Sequence, residues 1–359
     1  MEETKGYNLK KVILWGLFSL GLSGLGIALV LRITKNQDIV GGLLAVGLKT
    51  LAVSCGLVVL SWLADGCRMA VLARGMGGKV PFLAAIKISM MGAFMAAVTP
   101  FDTGGEPLKV YFLHKHGMSI GQSTATVTMA AMFHSAARFL LWALLPWVAL
   151  LTGDSWEPTA VGKATMAVGL AFYVFYMVLF IAATVRPEFL VSVTDRVCRT
   201  GLLRRLLTAE RMERISDKVR AAAHDFREGV IRIRSDGSAA VLALLLSIAY
   251  WLTMTAVPVC ILKGMGSGLS PLQILSISMT VYLVMAYTPT PGASGGAEVG
   301  TVVFFSPFLP SAILGTFAIV WRVVTYYLTL LIGGAFVAVE ALLLPLQSQS
   351  PVSKQTDGR

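Results

Sequence analysis

Long apolar runs separated by short basic stretches set the pattern of this chain. Runs at about Val12–Leu31, Ile39–Ala64, Ser123–Leu151, Val161–Val185, Ala239–Leu262 and Ser311–Leu331 are each long enough to cross a ~30 Å hydrocarbon core as a helix, which takes ~20 residues. Two further apolar stretches, Pro81–Val98 and Pro271–Tyr287, run into loops rich in Gly and Pro. The segments beyond those loops cannot cross a bilayer alone. Pro107–His116 carries Lys109, His114, Lys115 and His116, and Ala297–Leu309 is too short.

The two broken segments are copies of one pattern. Ile88–Glu106 reads ISMMGAFMAAVTPFDTGGE, and Ile277–Glu298 reads ISMTVYLVMAYTPTPGASGGAE. In both, Ile-Ser-Met leads through an apolar run to Thr-Pro, then a Gly-containing loop and a glutamate. A proline precedes each copy (Pro81, Pro271) and an arginine lies in a later apolar run (Arg138, Arg322). Hydrophobic segments interrupted by Gly and Pro at matching places in two halves point to a membrane transport site.

Each copy is expected to form a re-entrant helical hairpin, because broken backbone at membrane depth must be buried in protein or face a water-filled cavity. Charge parity agrees. With Lys5, Lys10 and Lys11 cytoplasmic, two spans return Arg68, Arg74 and Lys79 to that side. A hairpin adds no crossing, so Asp154 and Glu157 lie outside and the Arg-rich stretch 186–234 inside, as the positive-inside rule requires. The second hairpin then enters from the opposite face. The expected fold class is all-α: a polytopic membrane protein with about six full spans and two re-entrant hairpins in an inverted-topology repeat. The membrane domain covers 1–345, with repeats at about 39–151 and 238–335, and a tail at 346–359 expected to be disordered. Within the cytoplasmic segment 186–236, Met212, Ile215, Val219, Ala222, Phe226, Val230 and Ile233 recur at spacings of three and four. That periodicity predicts an amphipathic helix resting on the membrane surface.

Composition fits. Apolar residues make up 56% of 359 and charged residues 14%, where a soluble domain carries roughly a quarter charged. Mean hydropathy is +0.74. The alternating ~10-residue strands of a membrane β-barrel are absent from the sequence. The net charge of +11 sits between apolar spans, where topology and anionic headgroups account for it, so nucleic acid is not expected as a partner. Cys55, Cys67, Cys198 and Cys260 are scattered, and neither a disulfide nor a metal site is expected. Val12–Leu31 is too long for a signal-peptide core and is read as a retained first span.

Candidate chemistry concentrates at the two loops. In the first, Pro100 ends the incoming half-helix, Gly104 and Gly105 permit reversal, and Pro107 suits the outgoing first turn. The free N–H groups there, capped by Asp102 or Thr103 and followed by Lys109, make an anion site. The second loop has the same parts in Pro291, Gly292, Ser294, Gly295, Gly296 and Glu298. Charges at bilayer depth cost at least ~2.5–3.5 kcal/mol each on insertion scales, so they face the protein interior. Arg138, Arg322, Glu106 and Glu298 are thus candidates either to hold hairpin against span as Glu106–Arg138 and Glu298–Arg322 pairs, or to bind a lipid phosphate. Lys49 and Lys87 either line the same cavity or snorkel. His134 is read as a packed interior polar group. No catalytic residue or cofactor is assigned.

The combination TPFDTGGEPLKVYFL, a span bearing Arg138, TPTPGASGGAE and a final WRVVTYYLTLLIGG resembles the flippase-like transmembrane region of bacterial lysylphosphatidylglycerol synthases, the multiple peptide resistance factors, and their stand-alone relatives. The resemblance runs from the first span to about Leu344. It implies movement of aminoacylated phosphatidylglycerol between leaflets, with Pro100, Gly104, Gly105, Glu106, Pro291, Gly292, Gly295 and Glu298 on the family motifs. In that family a separate soluble domain performs aminoacyl transfer; only a short polar tail stands here, so synthase activity is not expected.

The function expected is an inner-membrane flippase for an anionic or modified phospholipid or a polyprenyl-phosphate lipid, with both termini cytoplasmic. The membrane lipid is its partner, beside a second copy of the chain or a lipid-modifying enzyme. The alternatives are a membrane enzyme acting on a lipid-linked substrate, and a non-transporting accessory subunit.

Overall fold

The computed structural model describes residues 9–34, 41, 46–100, 103–185, 217, 221, 225–233, 237–286 and 288–347. Every regular element among them is helical. The order is α1 (Leu9–Thr34), α2 (Leu48–Gly75), α3 (Phe82–Val98), α4 (Gly105–Lys115), α5 (Ile120–Leu151), α6 (Ala160–Val185), α7 (Gly237–Gly264), α8 (Pro271–Met285), α9 (Gly296–Phe305), α10 (Ser311–Arg322) and α11 (Leu328–Gln347). A π-turn, Val323–Tyr327, joins the last two. Among the described residues four helical stretches are long and apolar enough to cross a membrane: α2, α5, α7 and Ser311–Leu342. The 26-residue α1 and α6 coincide with the first and fourth expected spans. The chain is a multi-pass helical membrane protein.

Two spans differ in their bounds from the sequence reading. α2 does not stop at Ala64 but continues to Gly75, carrying Asp65 and Arg68 into the helix. These two stand one turn apart and ion-pair with each other, so the helix absorbs both charges. The last span runs beyond Leu331 to Gln347.

α2 and α7 form the antiparallel centre. Cys260 Sγ lies 3.7 Å from Thr50 O, Ser61 Oγ 3.3 Å from Met254 Sδ, and Arg68 Nη1 3.1 Å from Ser247 Oγ. α3 therefore starts at one end of the pair and α8 at the other. Both starts are fixed locally. Pro81 precedes α3 in extended conformation, Pro271 is the first residue of α8, and Ser270 with Gln273 closes a capping box.

α3–α4 and α8–α9 are antiparallel hairpins. A Cβ on Gly105 would lie 2.7 Å from Gly92 O, and Lys109 lies along Gly92; in the second hairpin Gly296 abuts Thr288 and Gly300 faces Val281. The mouth of the first is marked by Lys87 and Lys115, which both bind Glu340 of α11 at 2.7 and 3.0 Å. At the mouth of the second, Gln273 Nε2 donates to Ser155 O, and Trp156 meets Phe304 and Phe308 edge-on.

Each hairpin leans on the last long helix of the other half: α3 on α11, and α8 on α5. In lipid such contacts are driven by packing and not by removal of water, so small residues that let backbones approach are decisive. A Cβ on Gly333 would sit 2.7 Å from Met90 O, and Gly66 of α2 meets Ile86 of α3 directly.

The expected amphipathic helix falls mostly outside the described residues, as do Cys198 and the tail after Gln347. Its helical part at 225–233 packs one face on protein. Phe226 and Ile233 are buried, Ile233 touches Gly75, and Ser119 Oγ donates to Asp225 at 2.7 Å. This segment thus packs on the end of α2 and the start of α5, the elements that flank the first hairpin.

Candidate functional site

The loop of the second hairpin meets the end of the first hairpin's incoming helix. A Cβ on Gly292 would lie 2.9 Å from Ala97 O at the end of α3 and would collide with the Tyr326 ring. Tyr326 also donates to Ala97 O at 3.4 Å. Gly292 takes φ +57°, a left-handed conformation that only glycine adopts without strain. Four buried or partly buried elements therefore converge here: the end of α3, the second loop, the π-turn and α1.

The second loop is held by Arg322. Its guanidinium lies 3.0 Å from Glu298 Oε1, donates from Nη1 to Gly292 O at 3.2 Å and from Nη2 to Ser294 Oγ at 3.1 Å, and reaches Ser23 Oγ of α1 at 3.5 Å. Its carbon centre stands 4.0 Å from the Tyr326 ring centroid, a desolvated cation–π contact. Glu298 Oε2 in turn accepts from Gly295 N–H at 2.6 Å, one half of a capping box at the start of α9. The π-turn after Arg322 adds one residue to the helical repeat. With that offset, Tyr326 sits under the guanidinium while Tyr327 donates to Ser23 Oγ at 2.9 Å. Gly26 leaves room for Glu298, whose Cδ would lie 3.0 Å from a Cβ there. Pro291 and Ser294 are buried in the loop. Gly295 and Gly296 form the turn into α9.

The first loop is arranged differently. Thr99 Oγ1 accepts from Gly104 N–H at 2.9 Å and donates to Met95 O, closing the reversal, and Thr103 Oγ1 donates to Pro100 O. Asp102 lies outside the described residues. Glu106 is exposed, and among the described residues no ion pair joins it to Arg138. Arg138 instead packs between two rings, 5.3 Å from that of Trp251 and 5.9 Å from that of Tyr173. Its Nε is buried without a hydrogen-bond partner. Lys109, half-buried, lies beside α3 within electrostatic reach of Asp65 and His134.

Behind Arg138 is a polar cluster that the sequence reading did not assemble. Arg68, 3% exposed, ion-pairs with Asp65, meets His134 Nδ1 at 2.9 Å and donates to Ser247 Oγ at 3.1 Å. His134 is held further by Trp251, whose Nε1 donates to its backbone carbonyl at 2.9 Å. From Trp251 the rings of Tyr282 and Trp321 follow at 5.3 and 5.4 Å, forming an aromatic wall between this cluster and Arg322. The signal for Asp65 and Arg68 was present as two opposite charges one turn apart inside SWLADGCRMAVL. Of the two lysines weighed earlier, Lys87 is engaged with Glu340 and Lys49 is exposed.

The chain matches the family model described as the lysylphosphatidylglycerol synthase TM region over residues 11–333. It is also similar to a UPF0104 membrane protein of Archaeoglobus fulgidus, 28% identical over 283 residues, which is 77% of this chain and 82% of that protein.

Proposed function

Because the chain belongs to the family of the lysylphosphatidylglycerol synthase transmembrane region, we propose that it is a lipid translocator. It moves a phospholipid with an anionic or modified headgroup, or a polyprenyl-phosphate lipid, between leaflets of the cytoplasmic membrane. The observation that carries this reading is the contact of the second hairpin's loop, at Gly292, with the end of the first hairpin's incoming helix, at Ala97, each hairpin starting from a different end of the α2–α7 pair. In the proposed arrangement the two hairpins are re-entrant, enter the bilayer from opposite faces and are related as an inverted repeat, a reading this geometry supports. Both termini face the cytoplasm, on the side of the first hairpin's mouth.

The headgroup crosses along the polar groups beside the hairpins while acyl chains stay in lipid. Differential headgroup binding in the two open states shifts their populations, and net movement in one direction is driven by a gradient or mass action. The chain is a carrier and not an enzyme, so the lipid leaves chemically unchanged. Proteoliposomes containing the protein and a headgroup-labelled phosphatidylglycerol test this. Labelled lipid should become accessible from the other leaflet with its mass unaltered. Exchange no faster than in protein-free vesicles defeats the proposal, and a change in lipid mass transfers the case to an enzyme.

A further inference from the structure

We propose that headgroup recognition resides in the first half of the molecule alone: Lys109 and Arg138, backed by Arg68, form a subsite for a phosphate-bearing anion, whereas Arg322 is a structural lock. This deepens the translocation reading and rests on it.

The two halves share one sequence pattern but differ in how their charges are balanced. In the second half one cation faces one carboxylate, Arg322 on Glu298, and the guanidinium's remaining contacts are a carbonyl, two hydroxyls and a ring. Arg322 Nε, like Arg138 Nε, is buried without a well-formed hydrogen bond among the described residues, but it stands 3.0 Å from the Glu298 carboxylate, so its charge is compensated, and both side chains are buried. The first half gathers three cations, Arg68, Lys109 and Arg138, around His134, and Asp65 is the one described carboxylate beside Arg68 and Lys109. Asp65 is taken by Arg68. Glu106, one turn before Lys109, is exposed and makes no ion pair with it among the described residues. Lys109 lies within electrostatic reach of Asp65, but neither Lys109 nor Arg138 forms an ion pair with a carboxylate among those residues.

An uncompensated cation in an apolar protein is costly, and the cost is removed when an anion arrives. Lys109 and Arg138 are half-buried, so they remain reachable, while Arg68 is closed off. Arg138 keeps a donor, Nε–H, without a partner and is held by two aromatic faces that fix it without neutralising it. A phosphate takes the guanidinium fork in two parallel hydrogen bonds and the lysine as a point charge. Both lipid phosphates and free phosphate present this chemistry.

The test is equilibrium binding to the full-length protein in detergent, followed by intrinsic fluorescence. The probes are dioctanoyl phosphatidylglycerol, uncharged dioctanoylglycerol and inorganic phosphate. The wild type should bind the phosphatidylglycerol and not the diacylglycerol. Arg138→Gln and Lys109→Met should each raise its Kd tenfold or more, Arg138→Lys should recover part of the loss, and Lys49→Gln should change nothing. Competition by millimolar phosphate supports the subsite with free phosphate as a ligand. Absence of competition, with the variant losses intact, supports it with the lipid headgroup as the ligand. Unchanged Kd in both Arg138→Gln and Lys109→Met, with a native melting profile, overturns the proposal, as does equal binding of the diacylglycerol. The scrambling assay separates the two levels. Normal scrambling by variants with wild-type binding sinks this inference alone; probe binding by a wild type that does not scramble sinks the transport reading alone.

Discussion

Removing Arg322 should expose how much of the second hairpin's rigidity rests on one ion pair. Its side chain is 7% exposed and that of Glu298 1%, so solvent screening is slight. Arg322→Met keeps volume but leaves Glu298 with only the Gly295 N–H. Breaking a buried pair from one side costs about 3–5 kcal/mol, chiefly through the stranded charge. Glu298→Gln retains an oxygen for Gly295 and leaves Arg322 its carbonyl, hydroxyl and ring contacts. That change should cost about 1–3 kcal/mol, the range for a lost charged hydrogen bond. The double variant strands neither group, so its cost should fall short of the sum by about 2 kcal/mol or more. Reversible unfolding in mixed SDS and dodecylmaltoside micelles, followed by tryptophan fluorescence, gives all four corners of the cycle. A coupling under about 0.5 kcal/mol, the usual scatter of additivity, would mean that the pair does not hold the loop.

Gly292→Val should cost about 2–4 kcal/mol, combining a strained left-handed residue with overpacking against Tyr326 and Ala97, and should slow scrambling in parallel. The same micelle unfolding and the proteoliposome assay check both parts. Glu340→Gln should lose only about 0.5–1.5 kcal/mol, because Lys87 and Lys115 are 32% and 29% exposed. The difference from wild type should shrink as salt rises to 0.5 M, and a salt-independent loss would contradict this account of the clamp.

The broken helices were legible because Pro100, Gly104 and Gly105, and their counterparts in the second loop, punctuate apolar runs too short to cross a bilayer. Arg322 and Glu298 were legible because charge within an apolar run demands a partner, and each proved to be the other's. The same logic failed for Glu106 and Arg138, since a repeated pattern fixes backbone but not which side chains face each other. Arg68 was read as a loop charge because apolarity falls off at Asp65, while the i,i+3 spacing that keeps both in the helix carries no hydropathy signal. The π-turn that sets Tyr326 and Tyr327 has no sequence mark, being an outcome of how α10 and α11 pack. The contact of Ala97 with Gly292 joins residues far apart in the chain and required the tertiary structure.

Sided labelling of four single cysteines, placed in a chain whose native cysteines have been replaced, bears most directly on the hairpin geometry. Lys79→Cys and His116→Cys flank the first hairpin, and Gly268→Cys and Ser306→Cys flank the second, all at exposed positions. In oriented membrane vesicles, an impermeant maleimide should reach the first two from one face and the last two from the other. Labelling of either pair from two different faces, or of all four from the same face, would contradict paired hairpins that enter from opposite sides and meet inside the membrane.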